Sequence, residues 1–198
     1  MILDRDGQEA TPRSRSTCPS CDGRLIAKCG RINTWHWAHE AADCDPWSEP
    51  ESEWHLGWKR HFAAQGARIE VVMGPHRADV VTQKEQIVEL QAGYLSVDEI
   101  AEREQFYGEA LTWLYRCHWS ERLQFGRRGF WWKHGAKAMT THRRPVYWDL
   151  DGELMRVSLN LVERREYLGW NDEAGHAITY VAGHRVLGRV TRRVVSPR

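Results

Sequence analysis

The chain has 198 residues and a formal net charge of +1, with 28 Lys/Arg against 27 Asp/Glu. That length supports one domain with a real core and at most a small appended module, and the balance of charge excludes attachment to nucleic acid by bulk charge alone. No apolar run reaches the roughly eighteen residues a membrane span needs, and Met1 to Arg15 is polar and charged where a signal peptide would be apolar, so a cytoplasmic protein with no membrane partner is expected.

In chain order, residues 1–17 lack apolar periodicity and are expected to form a flexible arm. Residues 18–47 follow as a separate unit, because four of the five cysteines (Cys18, Cys21, Cys29 and Cys44) fall there while the fifth is Cys117. In a reducing compartment such crowding points to a metal and away from disulfides. Cys18-Pro19-x-Cys21 gives the tight knuckle in which two thiolates and free backbone N–H groups converge on a zinc ion, and Cys44 and His39 complete a tetrahedral set. His36 is the alternative ligand; Cys29, next to Gly30, is the weaker choice. Four protein ligands leave no open position, so this Zn²⁺ is structural, and it supplies stability that so short a segment cannot find in a core.

Residues 48–116 read as an α/β core. Ser48-Glu49-Pro50-Glu51 has the form of a capping box, and Trp54, Leu56, Trp58 and Phe62 recur at helical spacing, which predicts a helix over 49–65 closed by Gly66. Arg68 to Met73, Arg77 to Val81 and Gln86 to Gln91 are β-rich runs joined by tight turns, which predicts an antiparallel meander. Ser96 caps a helix to about Tyr107 with Ile100, Arg103 and Tyr107 on one stripe, and Leu111 to Arg116 is a buried strand. Residues 117–198 form a basic, aromatic extension. It holds a hairpin of Pro145 to Leu150 and Glu153 to Leu161 about Asp151-Gly152, with strands at Ala177 to Val181 and Arg185 to Val190.

Within the core, Asp79 sits mid-strand between Ala78 and Val80, and Glu89 lies inside Ile87-Val88-Glu89-Leu90-Gln91, where an unpaired charge would be costly. Glu89 and Gln91 are two apart and leave the same face of their strand, the spacing of the second half of a PD-(D/E)xK site. Asp79 can reach the same cation if the hairpin register sets the two carboxylates opposite. Hard oxygen ligands of this kind suit Mg²⁺ or Mn²⁺. On the preceding helix, Glu51, His55 and Lys59 stand at i, i+4 and i+8 and share a face, with Glu53 as the fallback for Glu51. Charge is divided along the chain: residues 1–110 hold 12 Lys/Arg against 19 Asp/Glu, and residues 111–198 hold 16 against 8. An acidic half suits cations and a basic half suits phosphates. Of the eleven tryptophans, most are expected in the core and some against unpaired bases.

The blocks Cys18-Pro19-x-Cys21, His36-Trp37-Ala38-His39, Glu51-Ser52-x-x-His55-x-x-x-Lys59, Arg77-Ala78-Asp79-Val80, Val88-Glu89-Leu90-Gln91, Arg103-x-x-x-Tyr107 and Thr112-Trp113-Leu114 stand in the order of the CoiA-like competence protein family. Over residues 18–116 the chain resembles that family. The resemblance implies a PD-(D/E)xK, restriction-endonuclease-like core, a mixed sheet flanked by helices, behind a cysteine-containing segment, in proteins tied to DNA uptake and recombination and found also in phages. Carried onto this chain, it makes Asp79 and Glu89 the metal ligands, puts Gln91 in the usual lysine place, and makes Glu51, His55 and Lys59 the helix contribution. Two departures stand out. Gly93 replaces the family's usual Ser, and residues 117–198 do not resemble its helical C-terminal region. The expected activity is metal-dependent hydrolysis of DNA phosphodiester bonds, single-stranded DNA included. With Gln91 unable to carry charge, the metal, Lys59 or Arg77 must meet that of the transition state. The rivals are a nucleic-acid-binding protein of the same fold without catalysis, and a protein-binding partner without enzymatic activity.

Overall fold

The computed structural model describes residues 3–31, 34–41, 44–47, 51–117, 123–126, 129–133, 137–150, 153–162 and 185–195. Two sheets are present among them. The first is small and antiparallel: β1 (Arg15–Thr17), β2 (Arg24–Lys28) and β3 (His36–His39), in the order β1-β2-β3. Its core is Ala10, Cys18, Leu25 and Trp37, and the Trp37 indole donates to Gln8 O at 2.9 Å. The expectation of an unstructured arm before Cys18 is therefore corrected. Residues 3–17 belong to this unit, because Asp4 accepts from Asp6 N, Gln8 N and Ser16 Oγ and so folds the segment back on itself. A local side-chain-to-backbone turn of this type carries no apolar period, which is why the period missed it.

The second sheet is mixed and contains nine strands among the described residues, in the order β4-β5-β6-β7-β10-β11-β12-β9-β8. Strands β4 (Arg68–Met73), β5 (His76–Val81) and β6 (Ile87–Gln91) form the expected antiparallel meander. From β6, α2 (Val97–Tyr107) crosses over to β7 (Leu111–Cys117), which runs parallel to β6. Ser96 caps α2 in a complete capping box with Glu99. Strand β10 (Val146–Leu150) is again parallel to β7, and β11 (Glu153–Val162) returns antiparallel to β10, as the hairpin reading expects. Beyond them, β12 (Arg185–Val195), β9 (Gly129–Lys133) and β8 (Leu123–Gly126) extend the sheet. The β8–β9 hairpin was not legible as such, since its Gly-rich aromatic run has no clean alternation. Residues 177–181, where a further strand is expected, lie outside the described residues.

Helix α1 (Glu53–Ala64) starts later than the sequence pattern indicates. Its N-cap is Ser52, whose side chain accepts from His55 N. The proposed cap at Ser48 falls outside the described residues. The shift matters because Glu51, released from capping, is free to enter an ion pair. Helix α1 is buried on two sides: Trp58 packs with Val80, Val88, Leu90 and Leu114, while His55 and Lys59 are buried as well. The indoles of Trp54 and Trp58 both donate to Asp149 Oδ2, at 2.8 and 2.9 Å, which fastens the helix across the sheet to β10. On α2, Ile100 and Tyr107 join the larger core with Trp113, Tyr115 and Trp148. No helix among the described residues is long and apolar enough to cross a membrane.

Candidate metal centre and carboxylate site

The first site is built by the turn after β1. Cys18 N donates to Gly23 O at 2.8 Å, closing the loop, and Asp22 takes a positive φ of 61° inside it. Ser20 N and Gly23 N point at Cys18 Sγ and Cys21 Sγ, each at 3.3 Å. A thiolate is the form that such N–H groups favour. Strand β3 brings His39 in, with Nε2 3.3 Å from Cys21 Sγ, and Cys44 Sγ lies 3.8 Å from Cys18 Sγ. One ligand atom from each of Cys18, Cys21, His39 and Cys44 lies within 4.8 Å of the others, an arrangement that could hold a metal such as zinc. Soft sulfur with one imidazole is the donor set of a structural zinc.

The thiol electrostatics fit that reading. Burial would raise Cys18, but N–H donation from Ser20 and Cys21 and the neighbouring thiols outweigh it and lower its pKa. Burial, then competition from Cys21 and Cys18, pushes Cys44 up to about 12. The cluster thus does not readily hold all its thiolates without a cation. Of the alternatives weighed, His36 Nδ1 is engaged with Thr34 O at 2.7 Å, and neither His36 nor Cys29 is in the group.

The second site lies where β5 and β6 separate. Their ladder pairs Val81 with Ile87 and Val80 with Val88 and goes no further. The next positions along that register are Asp79 and Glu89, and their side chains take over the amides that the ladder leaves. Leu90 N donates to Asp79 Oδ2 at 2.9 Å, and Asp79 N to Glu89 Oε1 at 3.4 Å. The two carboxylates are thereby held in one fork. Gln91, on the same strand face as Glu89, is buried.

Lys59 enters this fork from α1 at 1% exposure. Its Nζ meets three carboxylates: Glu51 Oε1 at 2.6 Å, Glu70 Oε1 at 3.0 Å and Asp79 Oδ1 at 3.1 Å. On the far side, Arg103 of α2 donates to Glu89 Oε2 at 3.2 Å. Four carboxylates thus gather about Lys59 and Arg103, and Arg77 acts on Glu70 as well. Burial works against the Lys59 charge, yet Glu70, Asp79 and Glu51 more than reverse this and raise its pKa. Burial opposes ionisation of Glu70 too, but Lys59 prevails and holds it at about 2. Glu89 goes the other way: burial, then the Asp79 carboxylate, push it up to about 8 against the pull of Arg103.

Two oxygen-donor side chains that resist being negative together are suited to a hard divalent cation, and Asp79, with 22% of its side chain exposed against 4% for Glu89, gives access from solvent. Among the described residues only the Cys/His cluster brings three or more such ligand atoms within 4.8 Å of one another. The carboxylate fork offers two ligands, and Mg²⁺, which keeps several waters, commonly takes one or two.

Of the residues anticipated on the first helix, the structure brings Lys59 to Asp79, and Glu51, which lies just before α1, to Lys59. His55 Nδ1 instead bonds Ser52 Oγ at 2.8 Å, at the start of the helix. Glu53, the fallback, accepts from Thr34 Oγ1 at 2.7 Å, so Glu51 takes the inward place. Glu70 was missed. It has φ +53° in the middle of β4, a conformation costly for a residue with a Cβ, and Leu3 N donates to its Oε2 at 2.7 Å. Around it the strand alternation breaks: Ile69 packs under α1 and Val71 under α2, although two residues apart they would share a face in a regular strand. No sequence pattern carries that signal. Tyr107 also faces the site. Burial, then Glu89 and Asp79, raise its phenol, and its Oη is buried with no hydrogen-bond partner among the described residues.

Compared with known proteins, residues 5–46 match the family model described as competence protein CoiA, N-terminal domain. This bears out the CoiA-like resemblance, and the matched stretch contains all four residues of the Cys/His cluster. No curated protein and no solved structure gave a significant match.

Proposed function

We propose that this chain is a metal-dependent nuclease with a PD-(D/E)xK-type core, acting on DNA in a competence-related role, with a structural zinc in its N-terminal unit. The observation that carries the reading is the Asp79–Glu89 fork, with Lys59 delivered from α1 to 3.1 Å from Asp79. When bound there, Mg²⁺ or Mn²⁺ would polarise a phosphate and lower the pKa of an attacking water. The protein does the rest. Leu90 N and Lys59 fix the two oxygens of Asp79, and Arg103 fixes one oxygen of Glu89. Lys59 takes over in space the positive charge that Gln91 does not supply in sequence. The excess of Lys/Arg in residues 111–198, 16 against 8 acidic residues, supports phosphate contacts along the substrate.

Incubation with circular single-stranded and linear duplex DNA, in Mg²⁺, Mn²⁺ or chelator, tests the reading. Cleavage is expected only with the metal ions, and equal cleavage by wild type and Asp79→Ala would sink the site assignment. A second reading, a binding protein without catalysis, is favoured by one observation: the usual lysine position holds a buried, neutral Gln91. Under it, DNA binding is the whole activity, and Asp79→Ala and Glu89→Ala leave that activity intact.

A further inference from the structure

The two sites are joined by three residues. Asp45 directly follows the cluster residue Cys44 and is 3% exposed. Its Oδ2 accepts from Arg77 N at 3.0 Å and its Oδ1 from Trp47 N at 3.0 Å, while His76 Nδ1 lies 3.1 Å from Oδ1. The segment is therefore bound to β5 two residues before Asp79. Trp47 then lies flat on His76, with ring centroids 3.3 Å apart and planes 4° from parallel. The Trp47 carbonyl accepts from Arg103 Nη2 at 3.1 Å, and the Arg103 guanidinium sits 5.2 Å from the Trp47 ring. The other nitrogen of the same guanidinium donates to Glu89. Arg103 is a fork with one tine on the segment after the cluster and the other on the carboxylate site.

A segment with neither helix nor strand keeps its place through its anchors, and one anchor here is Cys44. Small metal-dependent units lose their fold when the ion leaves. Release of Cys44 removes the segment's hold on its cluster side and leaves Asp45 and Trp47 held only by β5 and Arg103, so the carbonyl and ring that aim Arg103 are less firmly placed.

We propose that Asp45, Trp47 and Arg103 are positioning residues through which the Cys18/Cys21/His39/Cys44 metal site sets the geometry of the Asp79/Glu89 site. Loss of the first metal then weakens divalent-cation binding at the second. This rests on the reading of Asp79 and Glu89 as a cation site. The groups facing Glu89 are Asp79 from β5, Lys59 from α1, and Arg103 and Tyr107 from α2. Of these, Arg103 and Tyr107 touch the segment, Arg103 through the Trp47 carbonyl and ring and Tyr107 through the ring. When the segment shifts, Arg103 no longer holds Glu89 Oε2 in its place beside Asp79.

The test is Mn²⁺ titration of the full-length, zinc-loaded protein at one pH, reading free Mn²⁺ and the spectrum of the bound ion by electron paramagnetic resonance, with zinc counted separately by a chromophoric chelator. Asp45→Ala is expected to retain zinc yet bind Mn²⁺ about tenfold more weakly, with an altered bound-ion spectrum. Arg103→Lys, which keeps the charge but lacks the planar fork that spans the Trp47 carbonyl and Glu89, is expected to change both in the same direction and serves if Asp45→Ala does not fold. Zinc-loaded variants with wild-type Mn²⁺ affinity and spectrum would overturn the coupling alone. Wild type that fails to bind Mn²⁺, or Asp79→Ala that binds it as tightly, would overturn the cation site and the coupling together.

Discussion

Lys59 shows how much one side chain can hold. It is the common partner of Glu51, Glu70 and Asp79, so Lys59→Met would leave buried carboxylates without their cation. A loss of about 3–5 kcal/mol in urea unfolding is expected. Glu89 yields a pH signature whose sign can be worked out. Its folded pKa stands at about 8, above the ordinary carboxylate value of 4.5. The folded state therefore binds the extra proton between those values, and stability without divalent cations is lost as pH rises from about 4.5 to about 8. Glu70, held at about 2, acts in a separate window and loses its contribution only as pH falls below 4.5. Melting temperatures of wild type and Glu89→Gln should diverge across the upper window, and Mn²⁺ should restore the wild type there. A flat difference would contradict the assignment. In the knuckle, a Cβ on Gly23 would meet Cys21 Sγ at 3.0 Å and His39 Cδ2 at 3.3 Å, whereas one on Gly30 meets nothing within 4 Å. Gly23→Ala is expected to weaken zinc retention in a chelator competition, and Gly30→Ala to leave it unchanged. At this scale the sequence was readable where spacing carries the chemistry, in C-x-x-C and in the shared strand face of Glu89 and Gln91, whereas the i, i+4, i+8 face held only in part, since Glu51 lies before the helix and His55 turns to Ser52 Oγ. It was silent at Glu70, because a left-handed residue inside a strand reverses the alternation on which such reading depends.

Elements divide in the same way. The meander, α2 with its capping box, β7 and the β10–β11 hairpin follow from period, cap and turn chemistry, and all were legible. Ser96→Ala should cost about 1 kcal/mol through the loss of that box, measurable by thermal unfolding, with no change in zinc content. The start of α1 was misplaced because two cap signals lie four residues apart, Ser48 and Ser52, and only tertiary pairing of Glu51 with Lys59 distinguishes them. The structured segment before Cys18 was hidden for a different reason. Its order comes from Asp4 hydrogen bonds and from Ala10 packed beside Trp37, and neither leaves a periodic trace. Since that unit has so small a core, a strong chelator should raise amide exchange in β1, β2 and β3 well before β6 and β7. Uniform exchange across both sheets would show that the metal has no such local role.

For the molecule as a whole, an N-terminal unit with a Cys/His cluster that could hold a metal is packed against a mixed sheet. It reaches the carboxylate fork through Leu3 and Glu70 on one side and through Asp45, Trp47 and Arg103 on the other. The mixed sheet is what the family resemblance implied, but its strand order could not be read from local pattern, because parallel pairing of β7 with both β6 and β10 depends on crossovers. What the fork does follows from its charge: Asp79 and Glu89 held together, Lys59 beside them, and a basic sequence beyond. The most direct measurement is the initial rate of DNA cleavage in Mn²⁺ by wild type beside Asp79→Ala, with the variant shown to be folded by its zinc content and melting curve. A fall in rate on the order of a hundredfold or more is expected; a folded Asp79→Ala that cleaves as fast as wild type would contradict it.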